Sequence, residues 1–282
     1  MGIPVKVAGI ANLNEPHDSF CRMQLESKLV LRPRLTAGGR IEPAGQDTWR
    51  LEIPAGSKAG YRLAQLEDYT NLRRQAFLWN PPAKLSLRAR SSDQEIPGTW
   101  GFGLWNDPFS ASLGLGGGSR GLPALPNAAW FFFASPPNYL SLRDDLPAQG
   151  ALAATFRSPN VPGLLLALSV PILPFLFLPA AARQLRRLGQ RFVRQDARAM
   201  ALDPTQWHTY TIAWKKERID FEVDGEQIFA TQIVPRGPLG LVIWVDNQFA
   251  ALPPNGRLAF GNLDNPKTAW IEIKIDFQVI DD

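Results

Sequence analysis

The 282-residue sequence predicts an all-β protein, a two-sheet antiparallel sandwich or jelly roll. Three observations carry that expectation. Most segments alternate apolar and polar residues with period two and are rich in β-branched and aromatic side chains, the pattern of half-buried strands. Gly and Pro, 23 and 25 in number, punctuate almost every junction between those segments. Only one stretch has a convincing helical period.

In chain order the alternation predicts strands over residues 28–35, 48–53, 61–66, 84–91, 100–105 and 130–134. It resumes over 208–215, 219–223, 227–231, 241–246 and 270–279, with Asp224-Gly225 as a hairpin turn. In the fourth strand Leu85, Leu87 and Ala89 point one way, and Lys84, Ser86, Arg88 and Arg90 point to water. In 241–246, Leu241, Ile243 and Val245 suit the core between the sheets. Val242, Trp244 and Asp246 are left on the opposite face, where an aromatic beside an acid has the character of a ligand surface.

The helix is expected from Ala180 to about Leu202, ended by Asp203-Pro204. Arg183, Arg187, Arg191, Arg194 and Arg198 form one stripe, and Leu185, Leu188, Phe192 and Ala199 another, which makes it basic and amphipathic. It follows an uncharged run over 158–182, long enough to cross a bilayer. A single span is excluded, because the segments on either side must add strands to the same sandwich. Pro162, Pro171, Pro174 and Pro179 also interrupt it.

The chain therefore reads as one domain over 1–282 carrying an apolar, helical insertion at 147–203. Three readings of the insertion stay open. It is a lid formed by Leu165, Leu168, Leu173, Phe175 and Phe177, an interfacial anchor that turns Arg187 and Arg191 to an anionic membrane, or a dimer contact.

Composition narrows the function classes. With 45% hydrophobic and 20% charged residues the chain is globular. Its net charge of +4 comes from six arginines between Arg183 and Arg198, too local for a nucleic-acid-binding surface spread over the domain. Cys21 is the sole cysteine, so no internal disulfide forms, and no Cys/His cluster offers a zinc site. The N-terminal residues lack the apolar core of a secretory signal, so a cytoplasmic monomer or homodimer is expected, peripheral on the membrane under the anchor reading.

Residues 207–225, Trp-His-Thr-Tyr-Thr-Ile-Ala-Trp followed by a hairpin closing at Asp224-Gly225, resemble the strand–hairpin signature of glycoside hydrolase family 16, the laminarinase-like β-glucanases. Gly98-Thr-Trp-Gly-Phe-Gly-Leu-Trp105 resembles that family's Gly-Thr-Trp strand, and Ile275-Asp-Phe-Gln-Val279 its closing strand. The resemblance covers roughly residues 25–282 and implies a concanavalin A-like jelly roll with a cleft on its concave sheet. It also implies a structural calcium near Asp276; no other cofactor is called for. The family cleaves sugars with carboxylates in a Glu-x-Asp-x-x-Glu strand. No such pattern occurs in this chain, and the matching strand, Ala128-Ala-Trp-Phe-Phe-Phe-Ala134, has no acid at all.

The expected site is therefore an aromatic one. Asp246 is the leading acid, with Asp107, His208 and Tyr210 as helpers, and Glu67 and Asp68 stand at the end of another cleft strand. A carboxylate among aromatic rings has a raised pKa and can act as a general acid. Trp100, Trp105, Trp130, Phe132 and Trp244 would contact the ligand, with Asn106, Asn247 and Arg62 as polar partners. The glycine-rich segment 114–121 leads into Leu-Pro-Ala-Leu-Pro rather than a helix, so it is a cleft-side loop and not a phosphate-binding one.

Two functions follow from this reading. The first is binding of an apolar or amphipathic small molecule under the insertion, with its transformation by acid–base chemistry such as cyclisation, isomerisation or hydrolysis. The alternative is a carbohydrate-binding module or divergent glycoside hydrolase acting on β-glucan-type sugars. A ligand-free structural protein at a membrane is the third.

Overall fold

The structure, a computed structural model, describes residues 3–4, 30–108, 122–168 and 177–275. Leu173, Phe175, Asp276 and the glycine-rich segment 114–121 lie outside the described residues. The strands in chain order are β1 (Ile3–Pro4), β2 (Val30–Thr36), β3 (Arg40–Gly45), β4 (Thr48–Ile53), β5 (Leu63–Glu67), β6 (Ala83–Ser91), β7 (Thr99–Trp105), β8 (Ala128–Ala134) and β9 (Gly150–Arg157). Two helices follow, α1 (Gly163–Ala167) and α2 (Pro179–Phe192). The chain continues with β10 (Arg194–Met200), β11 (His208–Trp214), β12 (Ile219–Val223), β13 (Glu226–Thr231), β14 (Gly240–Asp246), β15 (Gln248–Ala251), β16 (Ala259–Asn262) and β17 (Ala269–Ile275).

Two large antiparallel sheets stack as a jelly-roll sandwich. One has the order β1-β2-β5-β14-β7-β8-β9-β10 and the other β13-β12-β11-β6-β17-β4-β3; β15 and β16 form a separate ribbon. The period-two pattern explains the stacking. Trp100, Phe102 and Leu104 of β7, Phe131 and Phe133 of β8, and Leu241, Ile243 and Val245 of β14 turn inward against Leu85, Leu87, Tyr210, Ile212, Phe221 and Ile271 of the other sheet. Rings meet edge-on there: Phe131 lies 5.0 Å from Tyr210 and 5.4 Å from Phe221, centroid to centroid.

Expected strand limits agree with the observed ones to within one or two residues for most segments, because alternation is a local property. The strands that alternation did not announce are the two-residue β1 and β3, β9, β10, β15 and β16. β3 is an edge strand holding Pro43, and four of the eight residues of β9 are alanine or glycine, which blurs the contrast between its faces. Ser86 corrects one detail: it does not face water but shares a hydrogen bond of 3.1 Å with Thr211 on the neighbouring strand.

The larger correction concerns the helix. It ends at Phe192, and Arg194 to Met200 run as β10, paired to β9 from Arg194 opposite Arg157 to Met200 opposite Ala151. Arg194 and Arg198 therefore stand on an edge strand, not on the helical stripe. A free sheet edge offers this segment a full ladder of hydrogen bonds, and exposed charges on such a strand discourage pairing with another chain. The helical excursion between β9 and β10 is accordingly residues 158–193, narrower than the 147–203 expected from sequence.

Candidate functional site

Cross-strand partners share a face, so the register of the eight-stranded sheet builds its outer surface row by row. Asp246 lies opposite Leu63 on one side and Thr99 on the other. In the next row Trp244 lies between Gln65 and Gly101, and Gly101 faces Phe132. In the third, Val242 lies between Glu67 and Gly103, and Gly103 faces Trp130. Strand β7 thus presents Thr99, Gly101, Gly103 and Trp105 outward, the reverse of its core-facing Trp100, Phe102 and Leu104.

Gly101 makes room for the Trp244 ring, and Gly103 for the close approach of β8 at Trp130. A Cβ on Gly101 would stand 2.8 Å from Cη2 of Trp244, and one on Gly103 would stand 2.6 Å from Cβ of Trp130. Trp130 and Trp244 are 5.8 Å apart, Trp130 and Phe132 5.7 Å, and Trp105 lies 6.2 Å from Trp130. These rings floor a pocket of about 160 Å³, whose rim is made by Tyr61, Gln65, Thr99, Asp246 and Gln248. Leu140, from the loop after β8, and Phe249 and Ala250, from β15, complete its lining.

At the rim a short hydrogen-bond relay fixes the acid. The indole N–H of Trp244 donates to Thr99 Oγ1 at 2.9 Å, and that hydroxyl donates to Asp246 Oδ1 at 2.8 Å. The backbone N–H groups of Thr99 and Gln248 reach the same oxygen at 3.3 Å each. Asp246 Oδ2 accepts one contact, from the Tyr61 hydroxyl at 3.3 Å, and is the oxygen with capacity left for a proton or a ligand hydroxyl. Burial pushes the Asp246 carboxyl up to about 7, against hydrogen bonds that favour its ionised form. Burial, with Asp246 alongside, pushes the Tyr61 hydroxyl up as well, so it stays a donor.

Glu67, on the same face, is committed elsewhere: Gln65 Nε2 donates to one oxygen and Thr70 Oγ1, at 3.0 Å, to the other. Burial raises its pKa. Asp68 points to the opposite side, where it accepts Trp79 Nε1 at 2.7 Å and the backbone N–H of Leu241 at 2.9 Å, a brace between β5 and β14.

The structure thus gathers Asp246, Trp105, Trp130, Phe132 and Trp244 into one pocket. Other expected site residues are elsewhere. Trp100 is in the inter-sheet core, stacked on Phe133 at 3.7 Å, because β7 alternates and only every second residue faces out. His208 and Tyr210 belong to the other sheet. The His208 ring is held between Asp224 Oδ2 at 2.6 Å and the Asp203 carbonyl at 3.1 Å, and Tyr210 is buried among Phe102, Phe131 and Phe133.

Asp107 is fully buried just past β7 with a left-handed backbone (φ 46°), its carbonyl accepting Arg74; it turns the chain rather than lining the pocket. Asn106 ties down Leu125 and Asn127. Asn247 is likewise internal, accepting from the Arg62 N–H and donating to Gly60 and Leu263, while the Arg62 guanidinium donates to Ser57 and Gly60 carbonyls.

Of the expected lid residues, Leu173 and Phe175 lie outside the described residues. Leu165, Leu168 and Phe177 are exposed and none lines the pocket; nor do Arg187 and Arg191. Among the described residues the upper lining comes from Leu140 and from Phe249 and Ala250 of β15, and α2 packs against the segments that follow them. Arg186 of α2 donates to the Ser141 and Leu252 carbonyls at 2.7 Å each and to Asp144 Oδ1 at 2.7 Å. Tyr61 and Gln65 were not singled out from sequence as companions of Asp246, although alternation along 61–67 carries the signal. Leu140 comes from a loop and Phe249 from the short ribbon strand β15, and neither left one. Among the described residues no cluster of three His, Cys, Asp or Glu side chains could hold a metal ion.

Residues 189–233, from the end of α2 through β13, match the model of glycosyl hydrolases family 16. No curated protein matches the chain. Among solved structures it is similar to a glycoside hydrolase family 16 endo-glucanase from Bacteroides ovatus, at 9% identity and a TM-score of 0.49, covering 90% of this chain and 95% of that one. It is similar to the Bacillus licheniformis β-glucanase at 7% identity and TM-score 0.43, over 88% and 92% of the two chains. A legume lectin-like domain from Entamoeba histolytica follows at 9% identity and TM-score 0.44, over 88% and 89%.

Proposed function

We propose that this protein binds carbohydrate and takes a single sugar ring in the aromatic pocket of the eight-stranded sheet. The observation that carries the reading is the floor of Trp130, Phe132 and Trp244 set directly beside Asp246. The C–H face of a pyranose lies on aromatic rings, and its hydroxyls need fixed polar partners at the edge. Asp246 Oδ2, Gln65 and Gln248 stand where such partners are required.

Size separates a ring from a chain. A cavity of about 150 Å³ admits one benzene-sized ring, and this pocket has about 160 Å³. A long lipid would need a larger enclosure, and no described residue of the apolar excursion covers the pocket. The family match over 189–233 also favours sugar as the ligand class.

Binding is favoured over cleavage. Paired-carboxylate hydrolysis requires carboxyl groups about 5–10 Å apart. On this face the candidates are Asp246 and Glu67, and Glu67 is opposite Val242, four positions along β14 from Asp246. That is a backbone separation of about 13 Å. Glu67 is also occupied by Gln65 and Thr70.

Calorimetric titration with monosaccharides and β-glucan oligosaccharides tests the reading. Saturable binding that falls at least tenfold in Trp244→Ala supports it. No binding to any saccharide, or saturable binding of alkyl or isoprenoid compounds alone, would overturn it.

A further inference from the structure

The excursion between β9 and β10 carries large apolar side chains that the fold leaves in water: Leu164, Leu165 and Leu168 around α1, then Phe177, Leu178, Leu185, Leu188 and Phe192. On α2 they are not scattered. The helix docks through Ala182, Arg186 and Gly189, which share one face at 100° per residue. Leu185, Leu188 and Phe192 form a separate stripe beside that face, 40%, 49% and 52% exposed, and Leu178, just before the helix, is 57% exposed.

Charge accompanies the stripe. No Asp or Glu occurs between Asp145 and Asp196, while Arg157, Arg183, Arg186, Arg187, Arg191 and Arg194 fall in that interval. Of the arginines of α2, Arg186 is the one that forms an ion pair among the described residues; Arg183, Arg187 and Arg191 stand exposed along the helix. Exposed charge on β10 has a plain explanation as protection of an edge strand. That explanation does not extend to an apolar stripe on a helix.

We infer that α2 is a docking surface for the face of an anionic lipid bilayer, the leucines and Phe192 entering the headgroup boundary and the arginines meeting acidic headgroups. An apolar stripe next to unneutralised cations has this complementarity. No helix of the described residues is long and apolar enough to cross a membrane, so the association is with one surface.

The test is flotation of the full chain with vesicles of phosphatidylcholine alone and of three parts phosphatidylcholine to one part phosphatidylserine. The chain is expected to float with the mixed vesicles and to stay in solution with phosphatidylcholine alone. Arg187→Gln/Arg191→Gln should lower partition onto the mixed vesicles about 25-fold, each basic group near an anionic surface contributing about fivefold. Leu185→Glu/Leu188→Glu/Phe192→Glu should abolish it while circular dichroism stays that of the parent.

Equal partition onto both vesicle types, or none onto either, would overturn the inference. So would a parent that is dimeric by light scattering and becomes monomeric in the leucine variant without change in flotation, since the stripe would then join two copies of the chain.

Discussion

Trp244 lies across Gly101 so closely that a single methyl group on the glycine would meet the indole at 2.8 Å and the Phe131 carbonyl at 2.4 Å. The ring that floors the pocket therefore depends on a missing side chain on the adjacent strand. Gly101→Ala should displace the indole and destabilise the fold by about 1–3 kcal/mol, the usual cost of overpacking. Chemical denaturation gives the stability, and ligand titration should show affinity reduced more than tenfold. A variant of parental stability and affinity would show that the ring is placed by something else.

Asp246 should leave a signature in the pH dependence of stability. Its carboxyl ionises near 3.8 in the unfolded chain and is pushed up to about 7 by burial in the fold. Between those values the unfolded chain gives up the proton first, so the native state holds more protons and loses stability as pH rises. The loss is complete above about pH 7 and is of the order of 4 kcal/mol at most. Asp246→Asn removes this decline, so the variant should gain on the parent in melting temperature from pH 4 to pH 8. Parallel melting curves for the two proteins would refute it.

Glu272 predicts the opposite slope. Burial resists its ionisation, but Arg50 at 2.5 Å and Arg90 at 2.7 Å hold its carboxyl below the usual range. The stability it contributes is present above its unfolded pKa and is lost as pH falls through the folded one. Both guanidinium groups are more than a third exposed, so screening keeps the effect of Glu272→Gln at pH 7 to about 1–2 kcal/mol. The difference from the parent should vanish in acid, and urea titrations at neutral and acid pH measure it.

Arg186 joins the excursion to the pocket. Its buried guanidinium holds the Ser141 and Leu252 carbonyls together and lies 5.4 Å from the Tyr139 ring. Arg186→Met keeps the stem and removes the donors, at a cost of about 2–3 kcal/mol for the abandoned carbonyls. Because those loops run on to Leu140 and Ala250, sugar affinity should fall although the residue touches no ligand. Hydrogen exchange around residues 139–146 should rise in parallel; unchanged exchange and affinity would separate the helix from the pocket.

Much of the sandwich is legible in the chain because a strand's two faces are a local matter. Leu241, Ile243 and Val245 against Val242, Trp244 and Asp246 can be divided without knowing any partner, and the structure divides them that way. The same reasoning places Trp105, Trp130 and Phe132 outward. It cannot sort strands between sheets, so His208 and Tyr210 look as eligible as Tyr61 and Gln65. It also continues a helix through Arg194 and Arg198, since arginine spacing carries no record of the vacant edge of β9.

The sequence by itself determined the alternating strands, the hairpin at Asp224-Gly225, an aromatic strand with no acid at 128–134, and an acid-free, arginine-bearing excursion. Tertiary structure alone decided that Asp246 would be buried beside Thr99, 147 residues away, and that Asn247 and Arg62 would be spent inside loops. The physical reason is that composition and period act over a few residues. A carboxyl's pKa and a pocket's walls are set by whichever distant strand the hydrogen-bond ladder brings alongside.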